Sequence, residues 1–178
     1  MRPGSIDRPA RALLLAWLTC LAACDIPRDP EGTLDRVSGG TLRVGLSEAG
    51  SWVRRGDRGP EGVEPELLRR FARSLGADVE WRWGTVADHM EALQRYELDV
   101  VAAGLTRDTP WRSHVGLTAP YRIDTTHTVA PPGSSESHEV IRHRVMAVPP
   151  GENGFLFAIE DALEAARPDS SFVDGDRR

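Results

Sequence analysis

Apolar positions along the middle of the chain switch between two periods. "TLRVGLS" (41–47) alternates apolar and polar residues, the pattern of a short buried strand. A polar, Gly-rich stretch follows. "EPELLRRFARSLG" then sets Leu67, Leu68, Phe71 and Leu75 on one helical face, with Pro65 in the first turn and Gly76 at the C-terminal cap. "DVEWRW" reads as a strand with Val79 and Trp81 on one side. In "TVADHMEALQRYE", Thr85 caps a helix whose buried stripe is Val86, Met90 and Leu93. "LDVVAAGL" is continuously apolar, as expected of a strand buried on both faces of a parallel sheet. The order β-α-β-α-β predicts a parallel sheet with right-handed crossovers. Ligands of such sheets sit at the carboxyl ends of the strands. The loops there are 47–62, 83–85 and 104–111.

The pattern continues through "VGLTAPY", an extended strand "TTHTVA", and the loop "PPGSSESHE". A strand "RVMAV", a turn "PPGENG" and a helix "FLFAIEDALEAA" complete it. Phe155, Ile159, Leu163 and Ala166 form the buried stripe of that helix. Residues 169–178 are polar and read as a flexible tail.

The first forty residues follow different rules. Arg2, Arg8 and Arg11 precede an apolar run from Ala12 to Ala23. Twelve helical residues span about 18 Å, short of a bilayer core of about 30 Å. A basic start, a short apolar stretch and small residues at its end describe a signal peptide, 1–23. It ends in Leu21-Ala22-Ala23-Cys24, which resembles the lipobox of bacterial lipoproteins. That resemblance implies acylation of Cys24, and Cys20 leaves with the signal peptide because Trp17 breaks the same pattern upstream of it. No disulfide or cysteine metal site is then expected. Residues 24–40, rich in Pro, Gly and charge, read as a lipidated tether to a lobe spanning 41–168.

Composition narrows the chemistry. Hydrophobic residues make up 40% and charged residues 28%, which suits a globular domain with a real core. The net charge is −5 and the basic residues are scattered, which argues against nucleic acid as a partner. All 22 Lys+Arg positions are arginine, which removes Schiff-base lysine and the lysine of a phosphate loop. His89, His114, His127, His138 and His143 lack zinc-type spacing and read as solvated. No metal and no cofactor is expected. Nor does a Ser/His/Asp set stand in a nucleophile-elbow context.

The order of these pieces resembles the extracellular solute-binding proteins of family 3, the periplasmic receptors for polar amino acids and similar solutes. "TLRVGLSEAGSW" is similar to the first strand and its aromatic-bearing loop. "GVEPELLRRFARSLGADVEW" resembles the helix start Gly-aromatic-Asp-x-Asp-Leu, with Glu64 and Glu66 at the acidic positions. "ALQRYELDVVAAGLT" and "TPWRSHVGLTAPY" resemble the strand with its threonine loop and the stretch that ends in Pro-Tyr. "RVMAVPPGENGFLFAIEDALEAA" resembles the returning strand and last helix of the first lobe. Together they cover about 42–166.

The resemblance implies a single type II periplasmic-binding lobe, α/β, with a mostly parallel sheet flanked by helices. Only residues 131–144 remain where the family inserts its second lobe, too few for even one βαβ unit of about 30 residues. It also implies a ligand site. Thr106 and Arg112 hold a solute carboxylate, Trp52 covers its side chain, and the turn at Gly104 adds backbone contacts. Spacing leaves alternatives open at this point. Trp111 stands where the family has an acid, so Arg107 is an alternative to Arg112, and Trp52 is equally a loop aromatic packed on the core. Glu64 and Glu66 are expected as helix-start charges, and Asp99 as a structural acid.

The function expected is a lipid-anchored solute-binding lobe facing the periplasm, serving an ABC-type uptake system. Its partners would be a small polar or amino-acid-like solute and a membrane permease or second binding subunit. The alternative is a degenerate lobe acting as a protein-interaction module in the cell envelope. Related lobes precede peptidoglycan-cleaving domains, but no such domain is recognised in this sequence and no enzyme is expected.

Overall fold

The computed structural model describes residues 29–128 and 138–166. Its centre is a five-stranded sheet whose strands lie in the order Asp78–Trp83, Thr41–Leu46, Val100–Ala102, Ala147–Val148 and Gly116–Leu117. β1 (Thr41–Leu46) lies between β4 (Asp78–Trp83) and β5 (Val100–Ala102), parallel to both, as the alternating pattern predicts. β9 (Ala147–Val148) runs antiparallel to β5, and β6 (Gly116–Leu117) runs antiparallel to β9. β2 (Arg54–Gly56) and β3 (Gly59–Glu61) make a small hairpin on the loop after β1.

Two apolar clusters cover the two faces. Leu42, Val44, Leu46, Val100 and Ala102 meet Leu68 and Phe71 of α2 (Val63–Ser74) and Phe155, Ile159 and Leu163 of α4 (Asn153–Ala165). The Phe71 and Phe155 rings touch edge-on, with centroids 5.7 Å apart. On the other face Val101 packs with Met90 and Leu93 of α3 (Val86–Gln94). Val101 thus points away from Val100 and Ala102, as strand alternation requires, and "LDVVAAGL" is buried on both sides. Thr85 caps α3 by accepting from the Asp88 amide at 3.2 Å.

Three expectations change. Residues 29–40 are not a tether, because α1 (Thr33–Val37) buries Thr33 and Val37 against the lobe. The reason is polar, which is why periodicity misses it. Buried Glu152 accepts from the Glu31 and Thr33 amides, each at 2.9 Å. Asp29 accepts from the Leu34 amide at 2.7 Å and, through its other oxygen, from the Phe155 amide at 3.0 Å. Each carboxylate satisfies orphan N–H groups at a helix start. Residues 1–28, with the expected signal peptide and Cys24, and the tail at 169–178 lie outside the described residues.

Second, part of the expected closing loop is a strand. β7 (Arg122–Thr128) and β8 (His138–Arg144) form an antiparallel ribbon that pairs Arg122 with Arg144 and Thr128 with His138. The expected strand "RVMAV" therefore divides. Arg144 ends the ribbon, the Val145 amide donates to the Leu105 carbonyl at 3.1 Å, and Ala147–Val148 joins the main sheet.

Third, His89 is buried rather than solvated. Its Nε2 lies 3.0 Å from the Leu46 carbonyl, and the imidazole fills the space left by Gly45 and Gly84. Among the described residues no helix is long and apolar enough to cross a membrane.

Candidate functional site

The site begins where β1 ends. The Ala49 amide donates to the Val53 carbonyl at 2.8 Å and the Trp52 amide to the Ala49 carbonyl at 3.1 Å, folding 49–53 into a tight turn. The turn leaves Trp52 half-buried at the carboxyl end of the sheet. The Trp52 carbonyl accepts from the Glu64 amide at 3.1 Å, which ties the turn to the start of α2.

Gly104 follows β5 with φ 58°, a left-handed conformation that favours glycine. The approach there is close: a Cβ would stand 2.9 Å from Ala49 Cβ and 3.4 Å from Trp52 Cδ1. The loops after β1 and β5 therefore converge, as the topology predicts.

Glu64 joins them. It was expected as a helix-start charge, but it is completely buried. One carboxylate oxygen accepts from the Gly104 amide at 3.0 Å, and the other accepts from the Tyr121 hydroxyl. Burial pushes the Glu64 carboxyl up from 4.5 to about 7, against the Gly104 and Tyr121 hydrogen bonds and the Arg144 charge, which favour its anion. Burial and the facing carboxyl also raise the Tyr121 hydroxyl above its ordinary value. The Gly104 amide, expected to face a solute anion, is thus given to an internal carboxyl. Glu66 does behave as a surface charge, with Arg70 at 3.2 Å and Arg69 at 3.8 Å. Asp99 is the expected structural acid, joining Arg36 of α1 to Arg43 of β1.

The residue that organises the cluster is Arg144, at the end of the ribbon. Its guanidinium lies over the Trp52 ring, 4.8 Å from the centroid. Nε donates to Asp124 at 2.7 Å, and Nη1 donates to the Gly104 carbonyl. The Tyr121 ring meets Trp52 edge-on at 6.2 Å. Arg144 also forms an isolated antiparallel bridge with Thr106. The only sequence signal for it was its place at the start of the returning strand.

Thr106 sits at this bridge, and Arg112 follows six positions along the chain. They line an open groove of ≈ 890 Å³ with Arg107, Asp108, Arg142 and His143. Arg112 sits exposed on the 3-10 helix Pro110–Ser113, and Arg107 is exposed beside it, so both alternatives face the same groove. The Thr106 hydroxyl, the Asp108 amide and the charges of Arg142 and Arg112 hold the Asp108 carboxyl below its usual range. The structure thus joins Trp52 and Gly104 in one cluster and Thr106 and Arg112 in an adjoining basic groove. An aromatic face beside several guanidinium groups suits a small solute bearing a carboxylate.

Comparison with known proteins places the fold in a family. The family model "Bacterial extracellular solute-binding proteins, family 3" covers residues 42–174. Membrane-bound lytic murein transglycosylase F of Vibrio cholerae is 34% identical over 110 residues, 60% of this chain and 21% of that protein. The chain thus spans about a fifth of the length of that relative. The same enzyme of Idiomarina loihiensis is 33% identical over 128 residues, 70% of this chain and 28% of that protein. Among solved structures, the arginine-bound form of domain 1 from TmArgBP superposes with TM-score 0.55 at 23% identity, over 74% of this chain and 97% of that one. The ancestral amino-acid-binding protein AncCDT-1 gives TM-score 0.60 at 18% identity, over 75% and 92%. These two show a shared fold. The chain belongs to the bacterial extracellular solute-binding proteins, family 3.

Proposed function

We propose that this lobe binds a small polar or amino-acid-like solute where the loops after β1 and β5 meet. The observation that carries this is the convergence of Trp52 and Gly104 at the carboxyl end of the parallel strands, next to the groove of Thr106 and Arg112. A domain 1 described as arginine-bound supports the idea that one lobe can hold a solute. An open groove buries less of a ligand than the 70–90% usual for good sites, so the affinity is expected to be weak, near millimolar. Isothermal titration of the full chain with an amino-acid panel tests this. Heat is expected for a carboxylate-bearing solute, reduced at least about fivefold in affinity by Arg112→Ala, which removes a guanidinium of the groove. No heat at millimolar ligand, for monomer or any dimer, would overturn it.

The lobe is further proposed to bind rather than catalyse, and to stand in the cell envelope on a lipid attached at Cys24, delivering solute to an ABC-type permease. Its similarity to membrane-bound proteins named for murein supports the envelope. Globomycin-sensitive processing in cells, lost in Cys24→Ala, is the expected result. Normal cleavage and membrane retention of that variant would exclude the anchor.

A second reading, a lobe that docks an envelope protein, is favoured by the ribbon. Ile123, Val140 and Ile141 are 60%, 37% and 56% exposed there. Crosslinking from Trp52 or Arg112 to one specific protein in intact cells would favour it.

A further inference from the structure

The Trp52 platform is already covered. Arg144 and Asp124 side chains are only 12% and 23% exposed, so their ion pair is largely withdrawn from water. A single cation there meets an aromatic face, a carboxylate and a backbone carbonyl. These three groups are what a binding protein offers to a free guanidinium or ammonium ligand. Arg144 reaches them from the end of the ribbon and bridges to the loops after β1 and β5, rather than rising from those loops themselves.

We propose that Arg144 is a built-in occupant of a cation subsite: the lobe's own guanidinium fills the place beside Trp52, Asp124 and Gly104 and excludes cationic solutes. This rests on the reading of Trp52 as a ligand platform and deepens it by naming the solute class. A tethered group competes at an effective concentration of millimolar or more, so free cations of similar affinity lose to it. With Arg144 in place and Arg107, Arg112 and Arg142 lining the adjoining groove, the solute admitted is anionic or zwitterionic and enters carboxylate first. Removing the Arg144 side chain leaves all three acceptor groups behind, and that makes the idea testable by gain of binding.

The experiment compares the full wild-type chain with Arg144→Ala, Arg144→Met and Arg144→Lys. Melting temperature is followed against methylguanidinium chloride and L-arginine up to 20 mM, with sodium chloride at matched ionic strength. Arg144→Ala is expected to rise saturably by at least about 2 °C, while the wild type and Arg144→Lys stay level with the salt control. Arg144→Met fills the apolar stem and keeps the acceptors, so it carries the test if the alanine variant does not fold. No response from a folded Ala or Met variant overturns the proposal, as does an equal response from the wild type. The wild-type chain is also titrated with L-glutamate. Glutamate binding without a cation response in the variants overturns the built-in occupant alone. A cation response with no wild-type solute binding supports the occupant and counts against the solute reading.

Discussion

Asp99→Ala is expected to cost about 3 kcal/mol of folding stability, read as a lower urea midpoint at unchanged slope. Asp99 has no exposure, yet it faces two arginines. It accepts from the Arg43 amide at 2.8 Å and from Arg43 Nη2 at 2.7 Å, and it pairs with Arg36 through the same carboxylate. Removing the acid strands a main-chain donor of β1 and unpairs two guanidinium groups. Arg36 is 41% exposed and Arg43 22%, so both can turn to water, which places the cost at the low end for a broken buried pair. Asp99→Asn keeps an oxygen for the Arg43 amide and should lose roughly half as much. Amide exchange should quicken first in α1, which Arg36 ties to the sheet. A loss under about 1 kcal/mol in Asp99→Ala would show that packing alone holds this corner.

Glu64→Gln is expected to remove a pH dependence. The folded-state value of Glu64, about 7, lies above its ordinary 4.5, so the folded chain binds the proton more tightly than the unfolded chain. Stability from this group is therefore full below pH 4.5, falls as pH rises toward 7, and is flat above it. The total fall is about 3 kcal/mol. Glutamine cannot ionise, yet its oxygen can still accept from the Gly104 amide. The stability difference between wild type and Glu64→Gln should then move in favour of the variant by about that amount between pH 4.5 and 8. Subtracting the two chains cancels the titration of other acids. A difference that does not change with pH would mean that Glu64 stays ionised in the fold.

How legible each feature was in the sequence depends on what holds it. β1, α2, β4, α3 and β5 follow from apolar spacing, because each buries a stripe of neighbouring residues. The Thr85 cap was readable because its partner is three residues away. Glu64 was not, because its partners Gly104 and Tyr121 lie 40 and 57 positions along the chain. Arg144 is hidden for the same reason. Its contacts reach back to Trp52, Gly104 and Asp124, and none leaves a local pattern. Family resemblance pointed to Trp52 and Gly104 but not to the internal charges that cover them. The segment 29–40 misleads because it is fixed by carboxylates on amide groups, and a composition of Pro, Gly and charge looks the same whether or not such partners exist.

Those same carboxylates would set how far the body could stray from the anchor proposed at Cys24. Asp29 is clamped to the first turn of α4, so the five residue steps between a lipid at Cys24 and Asp29 would span at most about 17 Å. A leash running to Thr41 would reach about 60 Å. An anchor at Cys24 would hold the α1 and α4 end of the lobe close to the headgroups, and partners would have to come to the membrane surface to meet it.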